Sequence, residues 1–292
     1  MITLHAECVI NGQNELGEGP VWDDRLGELF WVDIEGLKLH RYKPSDSKQQ
    51  EYKLEQKAGS AVPAQDGSWI LALQDGFYRF DLATGQSELL IHTPDGKQGN
   101  RLNDGKCDSS GRFWAGTMSA KWQKDGTLYT LETGNALTPR HPGVVCSNGL
   151  AWSSDGKLMY YIDSGEALVN VFDYDAATGE ITNKRTAITY PEGQGGPDGM
   201  SIDTEDMLWI GHWGGWQVSR WNPRTGEKLV TVEVPVKNVT SCAFGGENLD
   251  ELYITTTRVG NTEDELKDQP NAGGLFRVKP GVKGLPVARA KV

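Results

Sequence analysis

The chain is 292 residues long, 37% hydrophobic and 24% charged, with a formal net charge of −11 at pH 7. That length allows a large core, and the composition is that of a water-soluble globular protein. No apolar run approaches the roughly 18 residues a membrane helix requires, and no Lys/Arg cluster supplies the basic footprint that nucleic acid demands.

The first segment, "MITLHAECVI", carries Glu7 and has no basic stretch ahead of an apolar one. It does not read as a secretory signal, so a cytoplasmic location is expected. Residues 2–10 read instead as a strand without a turn partner of its own. Beyond them one unit recurs, a polar turn followed at once by an aromatic or aliphatic strand. Its six copies are "RLGELFWVDI" about Gly27, "QDGSWILAL" about Gly67, "SSGRFWAGT" about Gly111, "SDGKLMYYID" about Gly156, "TEDMLWIGH" about Asp206 and "NLDELYITT" about Asp250. Successive turns lie 40 to 50 residues apart, room for four short strands and their connections.

Helical periodicity is hard to find. Six units of four strands predict an all-β fold, a six-bladed β-propeller with four-stranded blades around a central channel, one domain over residues 1–292. The Gly-His and Trp-Asp signatures of a WD40 protein are missing. The strand at residues 2–10 is expected to complete the last blade beside "GGLFRVKP", residues 273–280, and so to close the ring. Trp31, Trp69, Trp114 and Trp209 fall on the repeated strand and are expected between blades. Cys8, Cys107, Cys146 and Cys242 lie far apart without a Cys-x-x-Cys pair, which fits reduced, buried thiols.

The position about eight residues before each turn should lie where an inner strand begins at the channel mouth. There stand Gly59, Asn103, Asn148, Asp198 and Cys242, with Glu18 nine residues ahead of the slightly longer first turn. Rotation about the channel axis brings equivalent positions together, so Glu18, Asn103, Asn148 and Asp198 should face one another. Taken singly, Asn-Gly and Asp-Gly are hairpin signals. Each here is followed six to eight residues later by a second turn signal that accounts for the hairpin, leaving the first to mark a strand start. Two carboxylates and one or two amide oxygens are hard ligands suited to Ca²⁺, Mg²⁺ or Mn²⁺, with coordination positions left for water.

At these residues the sequence resembles the senescence-marker-protein/gluconolactonase, or regucalcin-like, family of six-bladed propellers. The segments that carry the resemblance are "LGEGPVW" (16–22), "RLNDGKCDSSGRFWAGTM" (101–118), "SNGLAWSSDGKLMYYIDS" (147–164), "GGPDGMSID" (195–203) and "LWIGHWGGWQVSRWNP" (208–223). The resemblance implies metal ligands at Glu18, Asn148 and Asp198, and a substrate-contacting Arg-x-Asn pair at Arg101 and Asn103. It implies hydrolysis of a sugar lactone to the open-chain sugar acid with one divalent ion, Ca²⁺, Mg²⁺, Mn²⁺ or Zn²⁺. The ion would polarise the lactone carbonyl and Asp198 would serve as general base. One departure is Lys121 in "GTMSAKW", where family members acting on gluconolactone can carry an acidic residue; a lysine there would alter how the distal hydroxyls are read or favour an anionic substituent. His212 could line the mouth beside Trp213 and Trp216. No Gly-x-Ser-x-Gly elbow supports a serine esterase. Two other functions fit the same residues: a calcium-binding regulatory protein without turnover, and a hydrolase of phosphotriester-type compounds.

Overall fold

Six antiparallel sheets stand in a ring in this computed structural model, which describes residues 2–292 apart from the side chains of residues 97 and 98. The innermost strands are Gly17–Asp23, Ala58–Pro63, Arg101–Cys107, Ser147–Trp152, Gly196–Ile202 and Val239–Gly245, one to each of blades 1 to 6. The turns picked out by the repeat join these strands to the second strand of their own blade. Left-handed φ angles at Gly27, Gly67, Gly111, Gly156 and Asp206 make the first five; Gly246 and Leu249 make the sixth. Outside the sheets the described residues hold one short α-helix, Glu263–Lys267, and a 3₁₀ turn at Pro94–Gln98.

The chemistry of the strands follows their distance from the axis. A second strand such as Glu28–Asp33 is buried on both faces and so reads as a continuous apolar run, whereas outer strands such as Lys48–Lys53 meet water and are largely polar. Six hydrophobic clusters fill the six gaps between neighbouring blades. Phe30 of blade 1 packs on Trp69 of blade 2 with ring centroids 4.0 Å apart, and Trp209 of blade 5 meets Phe244 of blade 6 edge-on at 5.9 Å. All four tryptophans expected between blades are buried there.

Ring closure is shared between two blades. Glu7–Ile10 pairs antiparallel with Leu275–Val278 and forms the outer strand of blade 6, as expected. Residues 2–10 are not one strand, however. At Ala6, whose N–H donates to the Glu233 carbonyl, the chain changes sheet, and Ile2–His5 lies parallel to Glu227–Glu233 as a fifth strand of blade 5. That addition covers an outer edge that would otherwise stay open. The other end of the chain crosses the face remote from the strand starts. Its Lys283 carbonyl accepts from Thr204 and its Gly284 N–H donates to Leu249; farther on, Ala290 bonds Pro63 and Gln65, and Lys291 bonds Gly111. Four blades are thereby strapped together.

Asp203, fully buried at the end of the blade 5 inner strand, shows how the repeated turn is held. Its carboxylate accepts from the N–H groups of Glu205 and Met207, the indole of Trp209 and Nε of Arg220. In blade 3, Asp108 binds the N–H groups of Ser110 and Arg112 and the indole of Trp114 in the same way. Asp203→Ala leaves the buried Trp209 indole N–H, the Arg220 Nε and two turn N–H groups without their acceptor, while Arg220 keeps Glu205, and is expected to cost about 2–3 kcal/mol of unfolding free energy, read from urea unfolding followed by tryptophan fluorescence.

Candidate functional site

The inner strands are not regular. Pairing with the second strand breaks between Glu18 and Val21, Leu102 and Gly105, Ser147 and Leu150, and Pro197 and Met200, so that two residues in each of four blades leave the ladder. Those breaks carry or adjoin Glu18, Asn103, Asn148 and Asp198. In blades 2 and 6 the break is one residue wide, at Gly59 and Thr240. Blade 6 therefore differs from the sequence alignment: Cys242 is paired within the ladder opposite Ile254, and Thr240 holds the irregular position. Thr240 donates to the Gly17 carbonyl at 2.6 Å and turns its hydroxyl to blade 1.

The glycines that follow these residues serve close approach rather than a turn. A Cβ on Gly149 would lie 2.4 Å from the Met200 Cβ, and one on Gly199 would lie 2.0 Å from the Ser241 hydroxyl. Neighbouring inner strands thus touch backbone to side chain, and the residues beside the glycines converge. Glu18, Asn103, Asn148 and Asp198 are all buried. The Asn103 amide donates to the Ser147 carbonyl at 2.7 Å and lies 3.3 Å from Asn148 Oδ1. Arg101 Nη1 donates to Asn103 Oδ1 at 2.5 Å and to its neighbour's Leu102 carbonyl at 3.1 Å. No carboxylate forms an ion pair with Arg101 among the described residues.

Charge is the unusual feature. Burial pushes the Glu18 carboxyl well above the usual carboxylate range, and the charges of Asp198 and Asp104 push it further. Burial does the same to Asp198, again with Asp104 adding and Arg101 opposing. Among the described residues Asp198 accepts no hydrogen bond, and Glu18 accepts one, from the Gly19 N–H at 2.9 Å. Two carboxyls kept from water with so few donors suit a hard cation. Asn148 is oriented for the same task, because its Nδ2 donates to Ser164 Oγ at 2.7 Å and its Oδ1 is turned the other way. No cage of three or more His, Cys, Asp or Glu side chains is present among the described residues. A divalent ion here would rest on two carboxylates and an amide oxygen, and the donor set of Glu18, Asp198 and Asn148 is chemically right for Ca²⁺, Mg²⁺ or Mn²⁺.

Not every expected residue joins this group. Lys121 is exposed on the connection between Phe113–Met118 and Gly126–Glu132, and its ammonium makes no ion pair among the described residues. His212 does not line the mouth. It is packed inside blade 5, with its ring nitrogens against the Gln194 carbonyl, Tyr190 and Ser219, and burial drives its pKa down to about 4. Three residues beyond the expected set belong to the site's surroundings. Asp104 is a third buried carboxylate, Ser164 links Asn148 to the Pro197 carbonyl, and Lys106 reaches Met200. Asp104 stood in plain view in "NDG", where it reads as part of a turn signal. The other two have no counterpart in the repeat.

The family model described as the SMP-30/gluconolactonase/LRE-like region matches residues 16–258, which include Glu18, Arg101, Asn103, Lys121, Asn148 and Asp198. Regucalcin of Danio rerio is 40% identical over 290 residues, covering 98% of each chain. A putative sugar lactone lactonase of Bacillus subtilis strain 168 is 38% identical over 262 residues, covering 89% of this chain and 90% of that one. The solved structure of a calcium-binding protein, regucalcin, from Agrobacterium tumefaciens strain C58 superposes with a TM-score of 0.94 at 27% identity, over 100% of this chain and 99% of the other. With its six blades and its buried acid pair, the chain belongs to the SMP-30/gluconolactonase/LRE-like family.

Proposed function

We propose that this protein hydrolyses a sugar lactone to its open-chain acid and that Glu18, Asn148 and Asp198 hold one divalent cation while it does so. The observation that carries the reading is a pair of buried carboxyls, nearly free of protein donors, beside an arginine that has no ion-pair partner among the described residues. The resemblance to a putative sugar lactone lactonase and to a calcium-binding regucalcin supports it.

When bound, the cation supplies a Lewis acid for the lactone carbonyl and offsets the two carboxylate charges. The chain's own residues do the rest. Asp198, with one oxygen left for a water, takes the proton as the water oxygen bonds the carbonyl carbon; the ring oxygen then leaves from that carbon and is protonated to a hydroxyl. Burial and Asp104 raise the proton affinity of Asp198 in the metal-free chain, and a bound cation opposes that rise. Arg101 and Asn103, locked to each other, present the guanidinium edge to the sugar oxygens. Lys121, standing in solvent on the next connection, would read an anionic substituent at the outer end of the sugar.

A pH-indicator assay on pentono- and hexonolactones, neutral and anionic, tests this with chelated protein and added Ca²⁺, Mg²⁺, Mn²⁺ or Zn²⁺. Turnover is expected only with metal, and a preference for anionic lactones is expected to fall in Lys121→Glu. Asp198→Asn with metal bound is expected to lose about 10²–10⁴-fold in kcat, the range a positioned base contributes. Tight metal binding without turnover on any lactone would instead favour a regulatory calcium-binding role, and turnover confined to phosphotriesters would favour that hydrolase class.

The buried acids also set a stability signature. With a folded-state pKa raised above its unfolded value, Glu18 contributes most below the unfolded pKa, and that contribution is lost as pH rises through the folded one. Glu18→Gln imitates the protonated form. In metal-stripped protein it is therefore expected to melt above wild type at pH 8 and level with it at pH 4; at a few degrees per kcal/mol the difference is measurable by calorimetry. Saturating Ca²⁺ at pH 8 is expected to reverse the order, because the wild type alone keeps both carboxylate ligands.

A further inference from the structure

One side chain crosses the channel beneath the acid pair. Lys106, on the blade 3 inner strand, carries its ammonium to the Met200 carbonyl of blade 5 at 2.6 Å, passing the blade that lies between them. An ammonium has three donors, and this carbonyl is its hydrogen-bond acceptor; it forms no ion pair among the described residues. Met200 ends the break that holds Asp198 and Gly199 out of the ladder, and Pro197 begins it. The Pro197 carbonyl is held too, by Ser164 Oγ at 2.9 Å from blade 4. Both carbonyls that frame Asp198 are thus fixed by a side chain from another blade.

We infer that Lys106 is a positioning residue that fixes the place of the Asp198 carboxylate without touching it. Asp198 accepts no hydrogen bond of its own among the described residues, so its direction is set by its backbone, and the backbone is tied by Lys106 and Ser164. Gly149 and Gly199 leave no slack sideways. The Lys106 hydrogen bond adds a tie from across the channel. A displacement of about 1 Å at a reacting group can cost two orders of magnitude in rate. Lys106 is also reachable. A cavity of about 320 Å³ on the face remote from the acid pair extends to it between Val21, Ile202, Phe244 and Val287.

Two variants and one metal probe test this. Lys106→Met keeps the stem and removes the donors; Lys106→Ala leaves a gap that n-propylammonium fills from the far-face cavity. Tb³⁺ replaces Ca²⁺, and its luminescence lifetimes in H₂O and D₂O count the waters on the ion. Expected are one more water in both variants than in wild type, as Asp198 withdraws, and a return to the wild-type count in Lys106→Ala with n-propylammonium. The activity arm rests on the lactonase reading: kcat is expected to fall at least tenfold with KM changed less than threefold, and the amine is expected to restore part of kcat. An unchanged water count in both variants, or a change that the amine does not reverse, overturns the inference. Wild type without lactone turnover overturns the lactonase reading alone, since the water count still decides the role of Lys106. Failure of wild type to bind Tb³⁺ overturns both.

Discussion

The site depends on an interruption repeated in the inner strands. A strand that keeps its ladder sends successive side chains to alternate faces of its sheet, into the gaps between blades. Where two residues drop out of the ladder, one of them is freed to face the channel. This happens at Asn103, Asn148 and Asp198, while Glu18 keeps its pairing with Val32 and stands directly before the break at Gly19 and Pro20. Blades 2 and 6 drop only one residue, a glycine and a threonine that turns toward its neighbour. The ring is therefore nearly six-fold in its backbone and uneven in its chemistry, with the polar side chains at the axis supplied by blades 1, 3, 4 and 5.

That gathering has a cost that the fold carries. Three carboxyls, Glu18, Asp104 and Asp198, lie buried near one another, and each titrates above its ordinary range first because of burial. An apolar filling would make a more stable propeller. The acids remain affordable because the rest of the ring is so heavily bonded: six interblade clusters, aspartates such as Asp203 inside the turns, and a C-terminal strap across four blades. Structural rigidity surrounds a locally unfavourable charge cluster, an arrangement typical of sites where function opposes stability.

Much of this was legible in the sequence because a repeat converts spacing into geometry. Six evenly spaced turns imply six rotations, and a rotation brings Glu18, Asn148 and Asp198 to one axis although they lie up to 180 residues apart. The same device failed where a blade departs from the pattern. In blade 6 the left-handed residue next to the second strand is Leu249, not Asp250, and it stands one residue farther from the irregular position than in the other blades, so the alignment fell on Cys242 instead of Thr240. The division of residues 2–10 between two sheets follows from the free edge of blade 5, which no local pattern announces. Ser164 and Lys106 act once, in single blades, so repetition has nothing to say about them. His212 looked like a mouth residue by its neighbours Trp213 and Trp216, yet alternation along the strand turns it inward while they remain partly exposed.

The two-sheet N-terminal segment has a consequence for synthesis. Glu7–Ile10 pairs with Leu275–Val278, and Ile2–His5 pairs with Glu227–Glu233. The earliest of these residues to leave the ribosome must wait for some of the last. Blades 1 to 4 contain all their own strands and can form in order as the chain emerges. Blades 5 and 6 cannot finish until the opening segment returns to them. Until then the ring stands open, with the flank of blade 1 that bears Trp22 and Leu29 uncovered. Such late, long-range pairing is slow, and that exposed flank is the place where a chaperone would find the nascent chain.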